Sequence, residues 1–354
     1  MISPTKSLIR GRKLLKKIKD SFDREGRRLR EDFSGLRNRY FKHYWEKVAH
    51  DIHADIEDLG YGFHRISTND RFVYVNHYKV SLDDHLSLNL AMIKPVMHRL
   101  LKDAGFRVPK YLEYDVADLS KAYDFLKSLP NKAVVKPVRG WAGNGVVTGV
   151  CDFTSLKKAS FSATMYDSRI FMEEEIAGDS FRLLYLDGVL IDAVRRERPA
   201  IVGDGRSNIR ELIKQENDKR LNGAQVTALS PITIDEDCLS RLREQDMKIN
   251  DVPAADSRLV LKNVVNQNGA SENHVVRDQV HSSFNDMGRR LKSILDLKLI
   301  GLDIMASTLE VPLEESGGVI NEVNGTPGLH HHDLVAETDE KCQVGEKILK
   351  FMLA

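Results

Sequence analysis

The chain has 354 residues, of which 42% are hydrophobic and 30% are charged, and its net charge is +1. This composition predicts a soluble, globular protein with room for two or three subdomains, and no apolar run approaches the roughly 20 residues that cross a bilayer. Three widely separated cysteines without a Cys-x-x-Cys pair argue against a disulfide framework and favour free thiols in a reducing cytoplasm.

A basic arm opens the chain. Residues 1–50 hold 15 Lys and Arg against 6 Asp and Glu, whereas the remainder holds 38 against 46, so the body that follows is acidic. Apolar residues recur at helical spacing within 1–39. We expect this arm to be a helix that docks on the acidic body or mediates a homodimer. Contact with nucleic acid or an anionic membrane surface is the less favoured alternative.

The next segment combines a helix with a hairpin. Residues 63–67 and 71–75 alternate as two strands about Asn69-Asp70, which predicts a hairpin. Five apolar residues ahead of them recur at intervals of three and four and predict a helix that ends at Gly60: Trp45, Val48, Ile52, Ile56 and Leu59.

A lysine-bearing strand then leads into a glycine loop. Lys136 lies in the run Val134–Pro137, and residues 139–145 carry three glycines before another strand at 146–148. A lysine there can pair with phosphates, and glycines let backbone N–H groups approach oxyanions. The loop lacks the Gly-Lys-Ser/Thr ending of a P-loop. Since a strand follows where a dinucleotide-binding fingerprint has a helix, the loop is typical of a flap over a nucleotide, with a plain mobile turn as the alternative.

Further elements follow in order. Residues 94–105 predict a helix with Pro95 in its first turn and Gly105 at its end. A strand at 170–176 is followed by two strands that flank Asp187-Gly188, a strong hairpin signal. Ser207 is predicted to cap a helix, and residues 218–275 show few clear elements. The class indicated is α+β with largely antiparallel sheets.

Charged residues near these strands suggest two further sites. Three consecutive acids, Glu173–Glu175, end the strand at 170–176 and are usually a solvated strand end, although backbone groups there could border an adenine. Arg195 and Arg196 end the hairpin and would neutralise developing negative charge beside a phosphate site. Their alternative role is a surface ion pair with Glu173–Glu175.

The last strands carry a candidate metal site. A helix from 283 to 295 precedes a strand at 299–305 with Asp303 and a second strand with Glu322 and Asn324. Positions two apart on a strand share a face, and cross-strand neighbours lie about 5 Å apart. Three oxygen donors on one patch suit Mg²⁺ with phosphates and water. The alternative is an ordinary exposed strand face that ends in a Pro-Gly turn.

Three consecutive histidines, His330–His332, follow that turn. Consecutive side chains on a strand cannot all reach one metal ion. We interpret them as a loop near the site of an amine substrate, with one of them placed as a base. A plain structural loop is the alternative.

The order of these parts resembles the ATP-grasp superfamily, and in particular the ATP-grasp domains of cyanophycin synthetase and bifunctional glutathione synthetase. The resemblance covers about residues 85–354 and implies an ATP-grasp fold, in which two α+β subdomains grip ATP, with a small N-terminal pre-domain and a basic helical arm. It rests on seven separated pieces in order: Lys94, 135–137, 140–145, 173–176, 195–196, Asp303 and 322–328. A segment at 202–213 is also similar to the Gly-Asp-Gly-Lys/Arg-Ser segment of those proteins.

The resemblance also implies a domain division. Residues 1–39 would form the basic helical arm and residues 40–84 the segment before the ATP-grasp unit. Residues 85–178 would form the N-terminal ATP-grasp subdomain with its flap, and residues 179–354 the C-terminal subdomain with the metal site.

The residue roles that the resemblance implies fall into three groups. ATP would be bound by Lys94, Lys136, Gly140, Gly143, Asn144, Gly145, Glu173, Glu174, Glu175 and Ile176. Two Mg²⁺ ions, with Mn²⁺ as a substitute, would be held by Asp303, Glu322 and Asn324. Catalysis would depend on Arg195, Arg196, Arg210 and Lys262. Two positions depart from the family pattern, since Lys262 stands where cyanophycin-type enzymes have Arg and Ser180 where an acid commonly holds the ribose.

The activity implied is that of an ATP-dependent carboxylate–amine ligase. The γ-phosphoryl group would activate a carboxylate as an acyl phosphate, a bound amine would attack it, and ADP and phosphate would leave. Amino acids or short peptides are the expected substrates. The alternatives are an ATP-grasp phosphotransferase that forms no amide and an ATP-regulated binding protein that uses the basic arm.

Overall fold

A computed structural model of the protein describes residue 11 and residues 24–69, 71–140, 143–223 and 226–354. The α-helices of these ranges are α1 Arg24–Asp51, α2 His85–Ala91, α3 Lys94–Asp103, α4 Leu119–Ser128, α5 Phe153–Ala163, α6 Ile209–Asn222, α7 Glu236–Arg243, α8 Ser283–Leu295, α9 His330–Asp333 and α10 Val344–Leu353. The strands are β1 Asp55–Gly60, β2 Phe63–Thr68, β3 Arg71–Asn76, β4 Lys79–Val80, β5 Tyr111–Asp115, β6 Ala133–Pro137, β7 Val147–Val150, β8 Arg169–Glu174, β9 Asp179–Leu186, β10 Val189–Arg196, β11 Ala200–Val202, β12 Arg258–Val260, β13 Asn273–Val275, β14 Leu299–Ala306 and β15 Val319–Asn324.

Every strand pair in the described ranges is antiparallel, which confirms the α+β class expected from the sequence. The strands form an N-terminal sheet (β1-β2-β3-β4), a flap sheet (β5-β8-β6-β7), a central sheet (β13-β10-β9-β14-β15) and the pair β11-β12. In the same ranges, no helix combines the length and apolar character that spanning a bilayer requires.

The N-terminal sheet corrects one prediction. Helix α1 ends at Asp51, His53 has a positive φ, and residues 55–60 form β1 instead of continuing the helix to Gly60. Intervals of three and four fit the buried helix face up to Ala49, but Ile56 lies opposite Ile66 in the ladder of β1 and β2. Apolar spacing over so few residues does not distinguish a helix turn from an edge strand.

Helix α1 packs on this sheet through a fully buried Trp45, whose indole N–H donates to the carbonyl of His77 at 2.7 Å. The helix also runs across the predicted boundary at residue 39. The predicted hairpin is present as β2 and β3, with Asn69 at a positive φ, while Asp70 lies outside the described residues. Most of the basic arm, including Leu14, Ile18 and Phe22, also lies outside them.

The flap sheet carries α4 and α5 on one face, and their apolar side chains form a separate core. Its fully buried members include Ala122, Ala133, Val135, Val150, Leu156, Ala163, Ile170 and Met172. Strands β6 and β7 are consecutive in sequence, and the glycine loop joins them at one edge of the sheet. Residues 141–142 of that loop lie outside the described part.

The central sheet is covered on one face by α8. The Tyr185 hydroxyl donates to the carbonyl of Phe284 at 3.0 Å, and Gly288 approaches the Tyr185 ring so closely that a Cβ there would lie 2.4 Å from it. Positive φ angles at Asp187 and Gly188 turn β9 into β10, as the hairpin signal predicted. Helix α3 packs against both β5 and β15 and so joins the flap sheet to the central sheet.

Helix α6 corrects the predicted cap. Asn208, not Ser207, is the N-cap: its side chain accepts the Glu211 N–H at 3.0 Å, and the Glu211 carboxylate accepts the Asn208 N–H at 2.9 Å. Ser207 instead donates to Asp204 at 2.7 Å in the preceding turn. Both residue types cap helices, but only Asn208 has a glutamate three positions later, which completes a capping box. The polar stretch 218–275 also holds more structure than expected, namely α7, β12 and β13.

Candidate active site

Strands β14 and β15 bring the three predicted metal ligands together. Asp303 lies directly opposite Glu322, and Gly301 lies opposite Asn324, so the three side chains share one face of the central sheet. The Asn324 amide nitrogen is 3.3 Å from the Asp303 carboxylate. We call Asp303, Glu322 and Asn324 the acidic patch. In the described residues no group of three or more His, Cys, Asp or Glu side chains is arranged to hold a metal, so an ion here would also use Asn324 and ligand oxygens.

Two arginines from the neighbouring strands face this patch. Arg182, opposite Asp303 in the ladder, donates to it through Nε and through Nη2, the latter at 2.9 Å. Arg196 places Nη1 3.9 Å from Asp303. Burial alone would raise the pKa of Asp303, but the charge of Arg182 holds it below the usual range. Burial and the nearby Arg182 lower the pKa of Arg196 to about 10.

Sequence reasoning missed Arg182, although a signal was available. The residue interrupts the apolar run Phe181–Leu186 of a strong hairpin, where an arginine is rarely buried without a charged partner. The ladder places Arg182 with Asp303, and its fork of donors matches a carboxylate.

Lys94 connects the acidic patch to the glycine loop. It begins α3, its side chain is 10% exposed, and its ammonium lies 3.3 Å from Glu322 and 3.4 Å from the carbonyl oxygen of Gly140. A single cation is therefore shared by the carboxylate patch on the central sheet and the loop on the flap sheet.

The glycine loop needs its glycines for conformation and for close contact. Gly143 and Gly145 both have φ near +70°, and a Cβ at Gly143 would lie 2.6 Å from the Asn266 side chain. A Cβ at Gly145 would lie 2.6 Å from the Tyr166 ring. Asn144, between them, is exposed. The loop thus rests on Asn266, which belongs to the polar stretch beyond the central hairpin.

Lys136 and Glu173 form a buried ion pair beneath this loop. Lys136 Nζ lies 2.5 Å from Glu173 Oε1, and their side chains are 6% and 3% exposed. Burial raises the pKa of Glu173 although Lys136 opposes that shift. Glu173 is therefore not part of a solvated strand end, as three consecutive acids had suggested.

The two acids that follow Glu173 also accept hydrogen bonds, one from a side chain and one from the backbone. Glu174 accepts from the Asn131 amide at 3.2 Å, and Glu175 accepts from the Gly149 N–H at 2.8 Å. Ile176 follows the end of β8 and is half-buried. The segment 173–176 is thus fixed to β7 and to the loop before β6.

Three predicted catalytic residues lie away from the acidic patch. Arg195 points to the opposite face of the central sheet, where it contacts Asp179 at 3.5 Å and Glu197 at 3.4 Å and lines a cavity of about 350 Å³. No ion pair among the described residues joins Arg195 or Arg196 to Glu173–Glu175, the alternative suggested by the sequence. Adjacent residues of a strand face opposite ways, so only Arg196 of the pair can reach Asp303.

Lys262 and Arg210 have other surroundings. Lys262 is buried and donates to Asp235 at 2.6 Å and to the Thr233 hydroxyl at 2.9 Å. Its segment still reaches the site, because Arg196 donates to the carbonyl of Val265 at 3.0 Å. Arg210 is exposed in the first turn of α6.

The three histidines form the short helix α9 rather than a loop. His332 is fully buried, and its Nδ1 lies 2.7 Å from the buried carboxylate of Asp192 on β10. The rings of His330 and His331 are 4.1 Å apart. Burial, Arg37 and Arg196 lower the pKa of His330 to about 3, and burial and His330 hold the pKa of His331 well below its usual range.

Two antiparallel sheets, with a glycine loop on one and an acidic patch flanked by arginines on the other, match the ATP-grasp fold that the sequence predicts. No family model matches the chain. It is 25% identical over 311 residues to the glutathione biosynthesis bifunctional protein of Clostridium perfringens, which covers 87% of this chain and 40% of that protein. It is 28% identical over 249 residues to the cyanophycin synthetase of Trichormus variabilis, covering 70% of this chain and 27% of that protein.

A solved structure agrees with the fold. The crystal structure of a bifunctional glutathione synthetase from Pasteurella multocida superimposes with a TM-score of 0.54 at 22% identity, over 84% of this chain and 41% of that one. The chain spans about two fifths of the length of the curated bifunctional proteins it matches. These similarities confirm the resemblance drawn from the sequence: the chain has the ATP-grasp fold and is similar in sequence to bifunctional glutathione biosynthesis proteins and cyanophycin synthetases.

Proposed function

We propose that the chain is an ATP-dependent carboxylate–amine ligase that acts through an acyl phosphate and releases ADP and phosphate. The observation that carries this proposal is the acidic patch, with Arg182 and Arg196 on one side and Lys94 on the other. Oxygen donors among fixed cations suit phosphoryl transfer, which depends on positioning and charge stabilisation. Amino acids or short peptides are the substrates that the related proteins suggest.

The donor set fits Mg²⁺, which takes a few protein oxygens and completes its shell with phosphate and water. Asp303, Glu322 and Asn324 would hold two such ions, and Mn²⁺ would fit the same oxygens. Bound there, the ions would neutralise phosphate charge. Arg182 pairs with Asp303 and Lys94 with Glu322 in this structure, so both cations would become available to a phosphate group if a metal ion neutralised these carboxylates instead.

The protein's own residues would then bind and shield the reacting groups. Lys94 and Lys136 would pair with phosphates, and the glycine loop, seated on Asn266, would close over them and exclude water. Arg196, with its lowered pKa and its hold on the carbonyl of Val265, would stabilise negative charge near the acyl group. Segment 173–176 would border the adenine.

Helix α9 would lie on the amine side of the site. His330 and His331 are kept neutral by burial and by Arg196 and Arg182. Imidazoles with such low pKa values are poor bases, but they stay neutral, and the cationic neighbourhood would favour an amine substrate in its unprotonated form. His332 would be a positioning residue that the Asp192 carboxylate holds in place.

The test is ADP release from Mg-ATP with the twenty amino acids and a set of dipeptides, offered singly and in pairs. We expect release that requires two partners and is lost in Glu322→Gln, because an amide oxygen replaces a charged ligand. Glu315→Gln, the same change on an exposed residue just before β15, is the matched control and should behave as wild type. Release with a single carboxylate would instead indicate a phosphotransferase, and would contradict the ligase proposal.

A further inference from the structure

A third titratable side chain lies against the buried pair of Lys136 and Glu173. His98, from α3, is 3% exposed, and its Nε2 is 3.7 Å from Glu173 Oε2. Both of these atoms are buried, and neither has a hydrogen-bond partner among the described residues. The other carboxylate oxygen, Oε1, is taken by Lys136 at 2.5 Å. Glu173 therefore has one oxygen paired with a lysine and one facing an imidazole.

The tautomer of His98 follows from its other nitrogen. Nδ1 lies 3.1 Å from the carbonyl oxygen of Lys94. A carbonyl oxygen only accepts, so Nδ1 carries the hydrogen and Nε2 of the neutral ring is a bare acceptor. Two acceptors thus face each other across 3.7 Å, too close for a water between them. A single proton placed there would turn this contact into a hydrogen bond after a small rotation.

The surrounding charges explain why that proton is absent in the ligand-free arrangement. Burial and the nearby Lys136 lower the pKa of His98 to about 4, with Lys94 acting in the same direction and the more distant Glu322 opposing it. The rings of Tyr111 and Phe171 also lie beside His98, with ring centroids at 5.2 and 5.0 Å. While Lys136 remains on Glu173, the carboxylate is compensated and the imidazole is neutral.

Nucleotide binding would change this balance. Under the proposed function, on which this step rests, Lys136 pairs with a phosphate. Its ammonium then no longer compensates Glu173, and a buried carboxylate without a partner is strongly destabilising. Glu173 needs a replacement, and within the described residues His98 Nε2 is the group already directed at its free oxygen.

We infer that His98 is a positioning residue of the nucleotide site: when a phosphate draws Lys136 from Glu173, one proton is taken from solvent and held between Glu173 Oε2 and His98 Nε2. No covalent bond changes. The proton replaces the lysine as the counter-charge of Glu173, whether it resides on the carboxyl or on the imidazole. Lys136 can then serve the nucleotide without leaving a bare charge behind in the flap sheet.

Titration calorimetry of the full chain with Mg-ADP tests this inference. Measured at pH 7 in a sulfonate buffer and in Tris, whose ionisation enthalpies differ and which contain no phosphate, the binding enthalpy gives the number of protons taken up. We expect about one proton per nucleotide for the wild type. His98→Gln supplies a permanent N–H donor to Glu173 and should bind Mg-ADP with no proton uptake. His85→Gln, the same change on an exposed histidine of α2, should keep the wild-type value.

A second variant keeps the inference testable if His98→Gln does not fold. Glu173→Gln removes the carboxylate itself, so its proton uptake should also vanish. Wild-type binding without proton uptake, or unchanged uptake in His98→Gln, would overturn the inference and leave the ligase proposal standing. Proton uptake together with no ADP release for any substrate pair would support the role of His98 and contradict the ligase proposal.

Discussion

At the scale of single residues, the candidate site consists of charges that are buried in pairs. Asp303 with Arg182 and Glu173 with Lys136 are each desolvated, and each pair joins different strands. Such a pair contributes little net stability, but removing one partner is costly because the other charge stays buried. Under the proposed function, each pair also holds a cation close to where a phosphate or acyl phosphate would bind. Under the proposed function, the cations of these pairs therefore serve a bound ligand more than they stabilise the fold.

Arg182 allows a test of this view. Arg182→Lys keeps the positive charge but loses the planar fork that engages both oxygens of Asp303. We expect amine-dependent ADP release to fall roughly 100-fold, as for the loss of one positioned donor in an active site. Arg206→Lys, an exposed position before α6, is the control. An unchanged rate in Arg182→Lys would show that the arginine serves only the packing of Asp303.

At the scale of elements, register and loop conformation build the site. The ladders of β9, β14 and β15 align Arg182, Asp303 and Glu322 across three neighbouring strands. A shift in register right after Asp303 changes the pairing beyond it, so the patch lies on the rungs directly before this irregularity. Opposite this patch, the glycine loop is held by contact with Asn266 and by Lys94. The site is thus formed where one sheet's ladder and another sheet's loop meet.

Two glycines with the same backbone conformation allow the effect of the loop's contact with Asn266 to be measured separately from the effect of backbone strain. Gly143 and Gly149 both have φ +70°, but only at Gly143 would a Cβ meet another residue, Asn266 at 2.6 Å. Each glycine-to-alanine change should cost about 1 kcal/mol of unfolding free energy through backbone strain. We expect only Gly143→Ala to raise the KM for ATP as well, because its methyl group pushes the loop off Asn266. Equal KM values in the two variants would contradict a role of this contact in nucleotide binding.

At the scale of the whole molecule, the sheets are joined by α3 and by the packing of α1, α9 and α10. Lys94 at the start of α3 and His98 one turn later reach the acidic patch and the flap sheet from the same helix. At a second junction, α9 packs on β10 of the central sheet, and the ring of His330 lies 6.1 Å from the ring of Phe41 in α1. His98 is buried at the first junction, and His330 is half-buried at the second.

The lowered pKa of His330 predicts a pH dependence of stability. The folded-state pKa of His330 is about 3, against an ordinary value of 6.5. Between these values the unfolded chain binds the proton more readily, so stability present above pH 6.5 is lost as the pH falls toward 3. Chemical denaturation at pH 7 and at pH 4.5 should show a smaller loss in His330→Gln than in wild type. An equal loss in both proteins would mean that His330 is not neutral when folded.

Local chemistry in the sequence was enough to predict the central parts. Asp187-Gly188 fixed a hairpin, Pro95 and Gly105 bounded a helix, and alternation along 299–305 and 319–324 placed Asp303, Glu322 and Asn324 on one face. These signals are short-range, because turn conformation and strand alternation depend only on neighbouring residues. The N-cap of α6 is also a local signal, because Glu211 lies three positions after Asn208 and completes a capping box with it.

Only the tertiary structure decided which charges meet. Arg182 and Asp303, His332 and Asp192, and His98 and Glu173 are 121, 140 and 75 positions apart along the chain, and their contacts depend on strand order and helix docking. The same dependence separated Arg196, which reaches the patch, from Arg195, Arg210 and Lys262, which lie elsewhere. The type and local spacing of a residue indicate what it can bind. Its partner is decided by the fold, because a charge that is buried away from water needs a counter-charge close to it in space.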